Sequence, residues 1–239
     1  MKAMIFAAGL GTRLHPLTEN KPKALVEVRQ KPMLGHLLHR LAEFGIRHFV
    51  VNVHHYADQI EDYLALPAFS AYHIQISDER DALLDTGGAL VKARPLLRAD
   101  EPVLVHNVDV WSQINIRLLI DFHNAKTALT SLAVSRRETS RYLLFDHHRK
   151  LCGWKNVKTG EIRMSRNDCL MKQYLAFSGI QVLSQEFLDM MEDRGSFSII
   201  DEYLRLSTDF EILGWEHDKA YWMDLGRPEM ITRANRTDW

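Results

Sequence analysis

Short apolar runs that alternate with helix-spaced segments through the first half constrain this chain more than any other feature. "KAMIFAA" is a buried strand by its apolar run ended by glycine. "MLGHLLHRLAEFG" then sets Leu34, Leu37, Leu38 and Leu41 at helical spacing, with Gly45 as the stop. "RHFVVNV" and "AYHIQIS" are strands flanking the helical "YADQIEDYLAL", which Pro67 closes. "GGALVKARPLL" opens on glycines as a helix, and "PVLVHNVDV" is a fourth strand ending in polar residues. Strands alternating with helices imply parallel pairing through right-handed crossovers. In open sheets of this kind ligands bind at the carboxyl ends of the strands.

From about residue 126 the pattern changes. "ALTSLAVS", "RYLLFD", "KLCGWKNV" and "YLAFSGIQVL" are strands with few helices between them. Helical patterns return at "QEFLDMMEDR" and "SIIDEYLRLS", before a last strand at "FEILGWE". This half extends the sheet and walls the cleft. No repeat, linker or low-complexity tract interrupts residues 1–239, which read as one α/β domain.

Lys+Arg 30 against Asp+Glu 31 leaves a formal charge of −1, without the basic excess that binds nucleic acid. No apolar stretch approaches the ~18–20 residues of a membrane span. The expected compartment is the cytoplasm. Cys152 and Cys169 are the only cysteines; they allow one disulfide, which nothing in the sequence demands. His54-His55 and His147-His148 are adjacent residues that do not share a face, so they read as surface features rather than ligands.

The stretch "FAAGLGTRLHPLTENKPKAL" follows the first strand directly. It is neither a Walker A loop nor a dinucleotide fingerprint, since Leu14 stands where the third glycine belongs. Glycine amides that approach phosphate oxygens, beside the fixed charges of Arg13, Lys21 and Lys23, make it an anion site.

The run "AAGLGTRLHPLTENKPKALVEV" closely resembles the signature of nucleotidylyltransferases that act on sugar 1-phosphates, and the resemblance continues at "DTGGAL", "HNVDV", "FSGIQVL" and "WMDLGRPE". The short length is similar to compact members that work on N-acetylmuramate 1-phosphate with UTP or mannose 1-phosphate with GTP. The opening run is also similar to phosphocholine cytidylyltransferases. The resemblance implies a Rossmann-like three-layer fold with a mixed, mostly parallel central sheet. Residues 1–125 would form the nucleotide-binding half, and residues 126–239 the sugar-binding half.

By the same resemblance, Gly9, Gly11 and Thr12 wrap a nucleoside triphosphate, while Arg13 and Lys23 hold its phosphates and the departing pyrophosphate. Lys21 matches a variable position and reads as a surface charge. Ala8, Glu79, Asp85, Thr86 and Gly87 would contact base and ribose. Asp85-Thr86 is equally compatible with an ordinary helix start, and Asn52 with a structural strand-end role. Asp109 and Asp224 would share one Mg²⁺, a hard cation suited to carboxylate and phosphate oxygens. Asn107, Lys155, Ser178 and Gly179 would hold the sugar phosphate.

Two positions depart from the family pattern. Val108 replaces a glycine, and Trp154 stands where relatives carry a glutamate.

The implied reaction joins a nucleoside triphosphate, with UTP or GTP favoured, to a sugar 1-phosphate. It needs no general base, and no Ser-His-Asp or Cys-His constellation stands out in the sequence. A phosphocholine cytidylyltransferase would require a cage for a quaternary ammonium, which Trp154, Tyr221 and Trp222 offer. A catalytically silent sugar-nucleotide-binding regulatory domain would be marked by loss of Arg13, Lys23 or an aspartate, and none is lost. A metal-dependent glycosyltransferase would not need the grip of Arg13 and Lys23. Oligomeric state is left open.

Overall fold

The computed structural model describes residues 1–169 and 172–237. Strand β1 (Lys2–Phe6) leads into two single 3-10 turns, Thr12–Leu14 and Lys23–Leu25, and a small hairpin of β2 (Glu27–Val28) and β3 (Lys31–Pro32). Next come α1 (Met33–Glu43), β4 (His48–Val53), α2 (Ala57–Leu64), β5 (His73–Asp78), α3 (Asp85–Leu97), β6 (Val103–Asn107) and β7 (Val110–Ser112). The second half holds α4 (Ile116–Lys126), β8 (Thr130–Ser135), β9 (Arg141–Phe145), β10 (Leu151–Asn156), β11 (Ile162–Met164) and β12 (Gln173–Leu183). It closes with α5 (Gln185–Met190), α6 (Ile199–Leu206), β13 (Ile212–Glu216), β14 (Trp222–Asp224) and α7 (Pro228–Arg236).

Apolar residues on both faces of the central strands explain the three layers. Ala3, Ile5, Phe49, Val51 and Leu104 pack with α1, α2 and α4. Their neighbours Met4, Val50, Val103 and Val105 point the other way, against α3, α5 and α6. A strand buried on both sides reads as a continuous apolar run, which is why these strands were legible.

Among the described residues the main sheet has ten strands in the order β11-β10-β9-β12-β6-β1-β4-β5, with β8 on β12 and β13 on β8. Strands β6, β1, β4 and β5 are mutually parallel. Tracing the remaining pairings, eight of the ten strands run in one sense, and only β10 and β12 oppose them. The sheet is therefore mixed and mostly parallel, with helices on both faces.

Strand β12 joins the two halves. Its Ile180–Leu183 stretch pairs with β6, whereas Gln173–Leu175 pairs with β9. On its other edge β12 pairs with β8, with a register shift between Phe177 and Gln181. The sheet forks there, and the cleft opens at the fork.

Two expectations change. The strand over "PVLVHNVDV" ends at Asn107, and Asp109 sits in the turn before β7 rather than at a strand end. Helix α3 begins at Asp85, two residues before its glycines. The pattern reading also left α4 unassigned; Asn115 caps it, accepting from the N–H groups of Arg117 and Leu118. Cys152 and Cys169 form a disulfide. No helix among the described residues is long and apolar enough to cross a membrane.

Candidate active site

Two cavities open at the carboxyl ends of β1, β4 and β6. The first, about 450 Å³, is lined by Ala8, Gly9, Asn52, Glu79, Asp85 and Thr86, among others. The second, about 330 Å³, is lined by Ser178, Gly179, Arg137, Trp154, Trp222 and Asp224, among others. Arg13, Asn107 and Asp109 belong to both.

The glycine loop builds the wall of the first cavity. Gly11 has φ 68°, and a Cβ there would lie 3.0 Å from side-chain carbons of both Lys23 and Thr18, so only glycine fits without strain. Gly11 and Thr12 shape the turn that starts the 3-10 segment and carries Arg13 to the cleft. Lys23 Nζ donates to Asp109 Oδ2 at 2.7 Å. Burial disfavours the Asp109 carboxylate, yet the Lys23 charge and hydrogen bond and the nearby Arg13 charge together hold its pKa below the usual carboxylate range.

Asn52 turns out to be a hub. Its Oδ1 accepts from the N–H groups of Ala7 at 2.7 Å and Ala8 at 3.3 Å, and its Nδ2 donates to Glu79 Oε1 at 2.8 Å. The other Glu79 oxygen accepts from the N–H of Leu84 at 3.3 Å. Burial pushes the Glu79 carboxyl up. This chain of bonds fixes the first residues of the loop against β4, so Glu79 acts by positioning as well as by lining.

Asp85 and Thr86 line the cavity, but Thr86 Oγ1 also accepts from the N–H of Ile199 at 2.9 Å, which ties α3 to the start of α6. Gly87 does not reach the cavity. It is buried, and its N–H donates to the Phe197 carbonyl at 2.8 Å. Close packing of Phe197 takes the place of the expected nucleotide contact.

In the second cavity Gly179 has φ 73°, and a Cβ there would lie 2.8 Å from Asn107 Nδ2. Ser178 Oγ is hydrogen-bonded to His217 Nε2 at 2.7 Å, and the Ser178 carbonyl accepts from Trp222 Nε1 at 2.9 Å. A Ser-His pair thus exists where the sequence suggested none. Burial drives the His217 pKa down, its Nδ1 lacks a hydrogen-bond partner among the described residues, and Ser178 is 1% exposed, so the pair positions β12 rather than supplying a nucleophile.

Lys155 is not brought into the cleft. Trp154 and its cross-strand neighbour Leu143 face the cavity, so alternation along β10 turns Lys155 to the opposite face. Its Nζ lies 5.3 Å from the centre of the Tyr174 ring. Val108 points into the core at 2% exposure and is not among the residues lining the second cavity, whereas Trp154 is.

Sequence reasoning missed Arg137, Arg141 and Ser196. Arg137 lies with its guanidinium carbon 3.8 Å from the Trp222 ring centre and donates from Nη2 to the Phe177 carbonyl at 2.6 Å. The available signal was the basic "SRRETSR" loop after β8.

Asp109 and Asp224 line the same cavity, brought together by antiparallel pairing of β7 with β14, in which Asp224 is in register with Val110. The Leu225 N–H donates to the Asp109 carbonyl at 2.8 Å and locks the two segments. Two carboxylates beside a cluster of cations provide hard oxygen donors of the kind Mg²⁺ takes, with room for phosphate and water.

The model of the family described as "Nucleotidyl transferase" matches residues 2–239. The chain belongs to the nucleotidyl transferase family. It is 32% identical to N-acetylmuramate alpha-1-phosphate uridylyltransferase of Caulobacter vibrioides, covering 95% of this chain and 92% of that protein. It is 30% identical to a mannose-1-phosphate guanyltransferase of Schizosaccharomyces pombe, covering 96% of this chain but 62% of that longer protein. Among solved structures, HddC of Yersinia pseudotuberculosis complexed with GMP-PN superposes with a TM-score of 0.73 over 98% of this chain and 97% of that one, at 22% identity. That likeness concerns the fold.

Proposed function

We propose that this family member is a sugar-1-phosphate nucleotidylyltransferase built as one domain over residues 1–239. The observation that carries the reading is the meeting of two cavities at Arg13, Asn107 and Asp109. The first cavity would take the nucleoside triphosphate, with UTP or GTP as the favoured donor, and the second the sugar 1-phosphate. Transfer of the nucleotidyl group requires the two to touch at one phosphorus, which this arrangement permits.

In the reaction a sugar-phosphate oxygen attacks the α-phosphorus. The new P–O bond forms as the bond from the α-phosphorus to the bridging oxygen breaks, and pyrophosphate leaves with that electron pair. A phosphate monoester has a second pKa of ~6, so the nucleophile is largely ionised near neutrality and needs no base. Arg13 and Lys23 would hold the triphosphate and the charge that develops on pyrophosphate, and Asn107 would orient groups on both sides. Asp109 and Asp224 are the residues that would hold Mg²⁺, which when bound supplies further neutralisation of phosphate charge.

The phosphocholine alternative loses support from the acceptor cavity. The Trp222 face is covered by the Arg137 guanidinium, and Arg13 and Arg141 add positive charge that repels a quaternary ammonium. A pyrophosphate-release screen crossing the common nucleoside triphosphates with sugar 1-phosphates and phosphocholine tests the reading. Turnover is expected with UTP or GTP and a sugar 1-phosphate. Turnover confined to CTP with phosphocholine, or none at all, would overturn it.

A further inference from the structure

With Lys155 on the opposite face of β10, the acceptor cavity lacks the cation that the family resemblance assigned to the sugar phosphate. Arg13, Arg137 and Arg141 line that cavity instead. Arg13 also lines the first cavity, where a triphosphate would claim it. Arg141 is exposed at the start of β9, and nothing fixes its side chain. Arg137, half-buried in the loop after β8, lines the acceptor cavity and not the first one.

Arg137 is held in one orientation. Stacking on Trp222 fixes the plane of its guanidinium, and the Phe177 carbonyl takes Nη2. Trp222 is fixed in turn, its Nε1 donating to the Ser178 carbonyl at 2.9 Å. The Arg137 Nε is buried without a partner, and no carboxylate pairs with the group among the described residues. Burial weighs against its charge, and the Asp224 carboxylate supports it. A partly desolvated cation with donors left over is costly, and an incoming oxyanion relieves that cost.

Strand β14 sets where the oxyanion lies. Trp222 and Asp224 are two residues apart on it, so their side chains leave the same face about 7 Å apart. Arg137, on the Trp222 ring, therefore stands beside a carboxylate proposed to hold Mg²⁺. A phosphate between them meets the guanidinium on one side and Asp224 with its metal on the other.

We propose that Arg137 is a catalytic residue that grips the 1-phosphate of the acceptor and presents one of its oxygens to the α-phosphorus. The inference rests on the sugar-1-phosphate reading and supplies the group that holds the nucleophile. Arg137 transfers no proton. The acceptor oxygen gives its electron pair to the α-phosphorus, the bond to the bridging oxygen breaks, and pyrophosphate leaves with that pair. The guanidinium offsets repulsion between the two anions as they close and fixes the line of attack. Its planar fork, already stacked, orients a phosphate in a way that a flexible ammonium does not.

The probes are the sugar 1-phosphates of the pyrophosphate-release screen, N-acetylmuramate 1-phosphate and mannose 1-phosphate first among them. With the acceptor that turns over, Arg137→Gln should lower kcat/KM by at least about 100-fold. Binding separates a phosphate grip from a structural role. Measured by competition, affinity for the 1-phosphate should fall at least about 30-fold in Arg137→Gln, and that for the same sugar without phosphate less than about 3-fold. Arg137→Lys keeps the charge without the fork and should recover about 10-fold of the lost kcat/KM. If Arg137→Gln does not fold, Arg137→Lys carries the test, with a loss confined to the phosphorylated sugar. An equal loss for both forms of the sugar, or none for the 1-phosphate, would overturn the inference while leaving nucleotidylyl transfer intact. Failure of the unmodified enzyme to release pyrophosphate with any sugar 1-phosphate would instead overturn the reading beneath it.

Discussion

Asp224 is in register with Val110 across the antiparallel β7–β14 ribbon, which sets its carboxylate on the same cavity as Asp109. The relationship is made by backbone pairing rather than by the side chains. Either carboxylate can therefore be altered without dismantling the ribbon. The chain uses distant segments in the same way elsewhere: Lys23, far from Asp109 in sequence, closes on it at 2.7 Å.

Lys23→Met removes the counter-charge and leaves Asp109 buried. Asp109 in the unmodified protein has a lowered pKa, so it contributes stability above the unfolded carboxylate value that is lost as pH falls through the folded one. In the variant burial is opposed only by a backbone hydrogen bond and the more distant Arg13 charge, and the Asp109 pKa rises. Urea unfolding at neutral pH should show a loss of about 3 kcal/mol, the scale of breaking a buried pair. Turnover should fall at least about 100-fold. A variant with unchanged turnover would remove Lys23 from the phosphate grip.

Asn52→Asp tests the network that holds the glycine loop. The new side chain still accepts from Ala7, but it no longer donates to Glu79, and it sets a second carboxylate beside it. Burial already raises the Glu79 pKa, so its charge destabilises the fold above the unfolded carboxylate value and is relieved as pH falls. The variant should lose about 2 kcal/mol at neutral pH, and the deficit should shrink toward the carboxylate range. A deficit that stays constant with pH would rule out this account. The Michaelis constant for the nucleotide should rise as the loop loosens.

Much of this was readable from local pattern. The strands β1, β4 and β6 announce themselves because both their faces are apolar, and the cations of the glycine loop because they lie close together in sequence. Other features depend on contacts that no short window contains. Arg137 has its place only because Trp222, from the far end of the chain, supplies the surface it stacks on. Asn52 is an ordinary strand-end residue until Ala7, Ala8 and Glu79 converge on it. Lys155 was misplaced because resemblance locates a residue along a strand but not on a face, and Trp154 had taken the face toward the cleft.

Lys155→Met follows from that correction. With its ammonium against Tyr174 and outside the acceptor cavity, the substitution should change the Michaelis constant for the sugar 1-phosphate by less than about 3-fold, in keeping with loss of a cation–π contact worth under about 1 kcal/mol. Steady-state kinetics with each substrate varied in turn would measure this. A large selective rise for the sugar 1-phosphate would return Lys155 to the site and imply that β10 moves.

Asp224→Asn separates metal binding from architecture. Asp224 Oδ1 accepts from the N–H of Gly226 at 2.8 Å, a bond that an asparagine oxygen retains, and the pairing with Val110 is made by the backbone. The variant should therefore unfold within about 0.5 kcal/mol of the unmodified protein. What it loses is one negative charge beside the proposed phosphate site. Calorimetric titration of Mg²⁺ into the enzyme saturated with a non-hydrolysable UTP or GTP analogue should show weakened binding. Turnover should fall by about 100-fold or more and recover in part at high Mg²⁺. Asp109→Asn should weaken the metal as well, but it also leaves Lys23 without its anion, so its stability should fall further than that of Asp224→Asn. Equal Mg²⁺ affinity in the Asp224 variant and the unmodified protein would exclude Asp224 as a ligand and leave Asp109 to hold the ion without it.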